Sequence, residues 1–155
     1  MEGWRAFRLL PIAGRLTLGA VWSALEFRGY PAGCSRCGRH DAPEPTCECG
    51  YYAFKGLSNL LFHLSSDVLP VSRSKVLLVA RVWGYGKVIE HDLGWRAEKM
   101  RIEELHYYPE LCLSCRDLFC ELAGRWHVPF VIHQDGEIAK VSNVDVDRNS
   151  GFSSR

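Results

Sequence analysis

The sequence predicts an α+β fold, a small antiparallel, β-rich and barrel-like domain that carries two helices. Three observations predict it. Short runs alternating apolar and polar residues between Gly and Pro recur along the chain, the pattern of half-buried strands. Two stretches, at residues 57–66 and 109–123, set Leu, Cys and Phe at three- and four-residue steps, the spacing of one helix face. Four of the seven cysteines crowd between Cys34 and Cys49, in the manner of a tight loop.

Taken in order, residues 3–10 and 15–19 read as two short strands bounded by Pro11 and Gly14, together a hairpin. Tyr51–Lys55 is aromatic enough for a third strand. Leu57, Leu60, Leu61 and Leu64 predict a helix over 57–66, with Pro70 beyond it as a stop. The run KVLLVARVW from Lys75 is apolar on both faces at its start, as in a strand buried in mid-sheet. Gly84 and Gly86 are expected to break it. Lys87–His91 and Trp95–Ile102 then read as two more strands, joined by Asp92-Leu93-Gly94 with Gly94 supplying positive φ, so that a three-stranded meander results. Pro109 opens a second helix over 109–123, with Cys112, Cys115, Leu118, Phe119 and Leu122 on one stripe and Gly124 as its stop. VPFVI at 128–132 is the last strand.

A chain of 155 residues fits one domain, and at that length folding buries about 68–70% of the surface the unfolded chain exposes. The expected organisation is a single domain over 1–145 and a polar, flexible tail over 146–155. Hydrophobic content of 47% and aromatic content of 12% exclude a disordered chain. The net charge of +1 hides an asymmetry, with 14 Lys+Arg against 9 Asp+Glu in residues 1–101 and 5 against 9 in residues 102–155. That imbalance falls short of the dense basic face of a nucleic-acid-binding domain. The N-terminus MEGWRAFRLLPIAG lacks the apolar core of a signal peptide, and the apolar run Val76–Ala80 is far shorter than the ~20 residues of a membrane helix. The expectation is a cytoplasmic protein with no membrane span, a setting in which disulfides are rare and clustered thiols bind metal.

The segment CSRCGRHDAPEPTCECG over 34–50 carries that chemistry. Cys34 and Cys37 form C-x2-C, nine residues intervene, and Cys47 and Cys49 form C-x-C, with Gly38 and Gly50 relaxing the backbone beside each pair. Zinc takes four tetrahedral N or S ligands, and closely spaced ligands on one loop converge on it at little entropic cost. A zinc-knuckle loop therefore completes the predicted fold. His40, between the pairs, competes for a place, so five candidates contend for four positions: Cys34, Cys37, His40, Cys47 and Cys49. The zinc is expected to be structural, because a catalytic site keeps a position open for water, and its removal is expected to unfold at least residues 30–55. The prolines of APEP at 42–45 stiffen the loop. Cys112 and Cys115 form a second C-x2-C; their place on the helix stripe makes them small core hydrophobes, against a second metal site with Cys120 and His106 or His127, or a redox pair near a helix start.

Two segments carry a resemblance. HDAPEPTCECGYYAF at 40–54 and VWGYGKVIEHDLGWRAEKMRIEEL at 82–105 resemble a family of small, uncharacterised actinobacterial and phage proteins with the patterns H-x-A-P-x-x-x-C-x-C-G-x-Y-A and W-G-x-V-x-E-x-x-x-G-W-R-A-E. GWRAF at 3–7 and WHVPF at 126–130 are similar to that family's ends. The resemblance implies no activity; it implies a ligand role for His40 and weight on Trp83, Glu90, Arg96 and Glu98. The chain departs from the pattern at Tyr85-Gly86 and at Lys99-Met100.

Arg96 and Glu98 fall on one side of a strand and would pair with each other or with Glu90 across the hairpin. The alternative is a charged recognition surface flanked by Trp83, Tyr85 and Trp95, aromatics of the kind enriched where proteins meet. Three function classes follow. The first is a non-catalytic, zinc-stabilised binding module docking protein or, should Arg5, Arg8, Arg15, Arg28, Arg36 and Arg39 share a face with Arg81 and Lys87, nucleic acid. The second is a small hydrolase-like enzyme using Glu90-His91-Asp92, which strand alternation disfavours by turning His91 away from the two acids. The third is a thiol-redox enzyme or sensor. No nucleophile elbow, phosphate-binding glycine loop or H-E-x-x-H is present, and the balance is against an enzyme.

Overall fold

The computed structural model describes residues 1–12, 15–20, 40–65, 77–111 and 115–134. The tail expected over 146–155 lies outside them, as do Cys34, Cys37 and Cys112. The chain forms β1 (Glu2–Ile12), β2 (Arg15–Ala20), β3 (Tyr51–Phe54), α1 (Leu57–Ser65), β4 (Leu77–Glu90), β5 (Gly94–Tyr107), a single 3-10 turn (Pro109–Leu111), α2 (Arg116–Trp126) and β6 (Phe130–Ile132). It is a mixed α+β domain. Neighbouring strands follow the order β2-β1-β3-β5-β4, with β6 added in parallel to β5.

The sheet curls back on itself without becoming a barrel. β1 also pairs with β4 from Glu2↔Trp83 to Arg8↔Leu77, whereas β3 meets β1 at one residue pair, Trp4↔Phe54. A strand of only four residues cannot carry a continuous seam, so the barrel expectation fails there. The gap is bridged by side chains: Arg5 Nη1 donates to the Tyr52 carbonyl, and Trp95 Nε1 donates to the Glu2 carbonyl at 2.8 Å. Gly3 and Gly84 leave room for that indole, since a Cβ at Gly3 would stand 2.6 Å from Trp95 Nε1 and one at Gly84 2.4 Å from its ring.

Alternation along β1, β4 and β5 sends two apolar sets to opposite faces. Phe7, Leu78, Ala80, Val82, Trp95, Ala97, Met100 and Leu105 line the inner face, closed by Phe119, Leu122 and Ala123 of α2. Ala6 and Val79 on the outer face meet Leu60 and Leu61 of α1. Full burial of a side chain such as Phe119, 1% exposed, stabilises the fold by about 2–3 kcal/mol. Leu78, Val79 and Ala80 are all buried, as the two-sided apolar run requires.

Three predicted details change. Gly84 and Gly86 do not break β4; the strand runs to Glu90 and absorbs a register shift between Tyr85 and Val88, with Gly86 at φ 77°. That is a bulge in which glycine takes the left-handed conformation, and the expected meander becomes one long β4–β5 hairpin. Positive φ is therefore needed at Gly86 and not at Gly94, whose smallness serves another end: a Cβ there would lie 2.3 Å from the Ala53 carbonyl oxygen of β3. The second helix begins at Arg116 and passes through Gly124 to Trp126, ending where His127 turns left-handed at φ 54° and its N–H reaches the Gly124 carbonyl at 3.3 Å. No helix among the described residues is long and apolar enough to cross a membrane.

Candidate metal centre

The loop entering β3 brings three of the predicted ligands together. The donor atoms of His40, Cys47 and Cys49 lie within 4.8 Å of one another, and His40 Nδ1 stands 3.9 Å from Cys49 Sγ. Tetrahedral zinc, with Zn–S about 2.3 Å and Zn–N about 2.05 Å, sets N···S near ~3.6 Å and S···S near ~3.8 Å. The three donors thus need a closure of at most about 1.2 Å to share an ion. Cys47 and Cys49 are thiols outside any disulfide, and Cys49 is buried with Ala42 and Cys47 in a small cluster of its own. Cys34 and Cys37 lie outside the described residues.

Local sequence explains the turn. The Cys47 N–H donates to the Glu44 carbonyl at 3.0 Å, closing the bend over Pro45-Thr46. Gly50 takes φ 110°, where a Cβ would press on Pro43 Cβ at 3.1 Å and the Ala97 carbonyl at 3.2 Å. A residue with a side chain is disfavoured there on both grounds. The Tyr52 hydroxyl donates to the Glu48 carbonyl at 2.9 Å, and its own ionisation is pushed up by burial, with Arg96 acting in the opposite direction.

Arg96 anchors the whole bend. Its Nη1 donates to the carbonyl of Cys47 and approaches those of Cys49 at 3.3 Å and Glu44 at 3.4 Å. Its Nε donates to His91 Nε2 at 2.9 Å, and the guanidinium lies 5.7 Å from the Tyr52 ring centroid. Only 4% exposed, Arg96 does not stand on the expected recognition surface, nor does it pair with Glu98 or Glu90. Strand alternation misled here because the loop folds over that side of β5 and takes the guanidinium for its own carbonyls.

The other weighted residues separate. Trp95 is 1% exposed and belongs to the core, not to a recognition face. Glu90 pairs with Lys55 at 2.8 Å, which holds its carboxyl below the usual range. Glu98 accepts from the Lys87 amide at 3.2 Å, the N–H freed by the bulge, and that bond also depresses its pKa. Trp83 and Tyr85 remain exposed on β4, at 39% and 40%. Around them Arg81 pairs with Glu2 and Glu104, Lys87 with Glu44, Lys99 with Glu98 and Arg101 with Glu103. Arg5, one of the arginines weighed for nucleic acid, is buried against Phe7, and burial lowers its pKa to about 10.

Cys115 is buried at the start of α2, as the core reading requires. It is also disulfide-bonded, so its sulfur serves no second metal, and the expectation that these sulfurs are reduced does not hold there. Cys120, weighed for the same second site, is an exposed thiol. His91 accepts from Arg96, so Glu90-His91-Asp92 has two members in structural pairs. Comparisons of the chain with protein-family models, with curated proteins and with solved structures each find no match.

Proposed function

We propose that this chain is a non-catalytic, zinc-stabilised binding module that docks a protein partner. His40, Cys47 and Cys49 supply three ligands, and a cysteine of the C-x2-C pair Cys34/Cys37 completes the tetrahedron. The carrying observation is the convergence of one imidazole and two thiols on a bend that Arg96 ties to β5. Soft sulfur donors with one imidazole suit zinc over magnesium or calcium. The ion is structural: it braces the loop against the sheet.

The docking surface is the outward side of the β4–β5 hairpin around Trp83 and Tyr85. Its cations are each matched by a neighbouring carboxylate, so little unbalanced positive charge is left to attract phosphates, and this favours protein over nucleic acid. Exposed aromatics amid a neutralised rim fit the composition of protein interfaces. Metal analysis of protein purified without chelator tests the reading. One equivalent of zinc is expected, lost in Cys49→Ser and His40→Ala and accompanied by thiol protection at Cys47 and Cys49. Metal-free protein whose thiols titrate at once would overturn it. Tight binding to a mixed-sequence oligonucleotide, weakening steeply with added salt, would move the partner to nucleic acid.

A further inference from the structure

We propose that His106 and His133 form an acid-sensitive latch that holds the last strand, β6, on β5. The two rings meet on the side of the molecule served by β5 and β6, with His106 Nδ1 2.9 Å from His133 Nε2 and the ring planes within 25°. Tyr108 stacks on His133 at 4.0 Å, and Trp4 meets His106 edge-on at 4.8 Å. β6 needs such a fastening. It spans three residues in parallel register with β5, from Leu105↔Phe130 to Tyr107↔Ile132, and among the described residues β5 is its only strand partner. The His133 N–H donates to the Tyr107 carbonyl at 3.0 Å, so the imidazole pair sits at the C-terminal end of this short pairing.

Proton count decides whether the latch holds. The charged groups acting on His106 are Glu104 of its own strand, whose carboxylate lies 3.6 Å from Nε2, Arg81 of β4, which is paired to that carboxylate and to Glu2, and His133. Tyr108 is the ionisable ring on His133. Glu104 favours a proton on His106 Nε2, leaving Nδ1 as the acceptor for the His133 Nε2–H. A proton added at His106 Nδ1 replaces the acceptor lone pair with an N–H, which then faces the His133 Nε2–H and breaks that bond. Burial is the main cause holding the His106 pKa down to about 4, against the opposing pull of Glu104.

The sign follows from linkage. A histidine depressed in the folded state contributes its stability in full above the unfolded value of about 6.5 and loses it as pH falls toward about 4. For these values the opening constant of the latched segment rises about 30-fold between pH 7.5 and pH 5. Amide hydrogen exchange, corrected for intrinsic rates, reads this directly. Protection at Val131, Ile132 and His133 is expected to drop by about that factor, while Leu78–Val82 keep theirs. His106→Gln, whose amide oxygen still accepts from His133 but which carries no titratable ring, is expected to abolish the acid-dependent drop. Metal loss in acid registers separately, at residues 41–50. Unchanged protection in the wild type, a drop shared equally by Leu78–Val82, or a drop retained in His106→Gln would overturn the latch.

Discussion

Replacing Arg96 with Met tests whether a strand side chain holds the metal loop in order. The substitution removes two well-formed bonds, to the Cys47 carbonyl and to His91 Nε2 at 2.9 Å, and two longer approaches to Glu44 and Cys49. At about 1.5 kcal/mol for the well-formed bond from this charged donor to the Cys47 carbonyl and about 0.5 kcal/mol for each longer approach, the bend loses about 2.5 kcal/mol of support. Zinc must then supply the ordering that Arg96 supplies now, and since loop order and metal binding share one free energy, affinity falls by up to about 100-fold. Competition with a chromophoric chelator at pH 7.5 measures this, alongside the thermal midpoint of the zinc-loaded protein. Arg96→Lys is expected to lie close to Met, because an ammonium cannot reach His91 and the bend together. Zinc affinity within about 3-fold of wild type in Arg96→Met, a difference under about 1 kcal/mol, would refute the anchoring argument.

Three further outcomes are expected. Gly50→Ala meets both an unfavourable φ of 110° and contacts at 3.1 and 3.2 Å; a loss of about 1–2 kcal/mol should appear as roughly tenfold weaker zinc binding with the urea midpoint of the core little changed. Gly84→Ala drives a methyl to 2.4 Å from the Trp95 ring and 2.9 Å from Ala97 Cβ, so urea denaturation should show the whole fold destabilised by about 3 kcal/mol at unaltered zinc stoichiometry. Chelation at neutral pH should raise hydrogen exchange at residues 41–50 and spare Tyr51–Phe54, because β3 is paired to β5 from Tyr51↔Ala97 to Phe54↔Gly94 independently of the ion. Equal opening of β3 would return the boundary to the wider 30–55 segment that the cysteine spacing suggests.

What was legible in the sequence is what neighbours along the chain decide. Leu57, Leu60, Leu61 and Leu64 dictate α1 through a period set by the helix itself, and the apolar run before Arg81 dictates a strand buried on both sides. The C-x-C pair with His40 marks a ligand loop because tight spacing brings donors together with little help from elsewhere, and Gly50 behind it is the glycine that the bend needs. Trp95 and Arg96 were legible as important but not as buried. Their roles depend on β1 and on the metal loop, elements distant in sequence that cover the inner and outer sides of β5.

The same division holds for the rest of the molecule. Gly84 and Gly86 read as a break because local propensity sees only the missing side chains, whereas in the folded chain one makes room for an indole and the other turns a bulge whose freed amide Glu98 accepts. Short-range periodicity and turn chemistry suffice for the α+β class, for α1, for the body of α2, for most strand segments and for the thiol-rich loop. Packing between distant segments sets that β3 meets β1 at a single pair, that Arg96 serves the loop, and that His106 meets His133. Each of those depends on long-range contacts between residues 27 to 52 positions apart, and chain-local patterns carry no information about such distances.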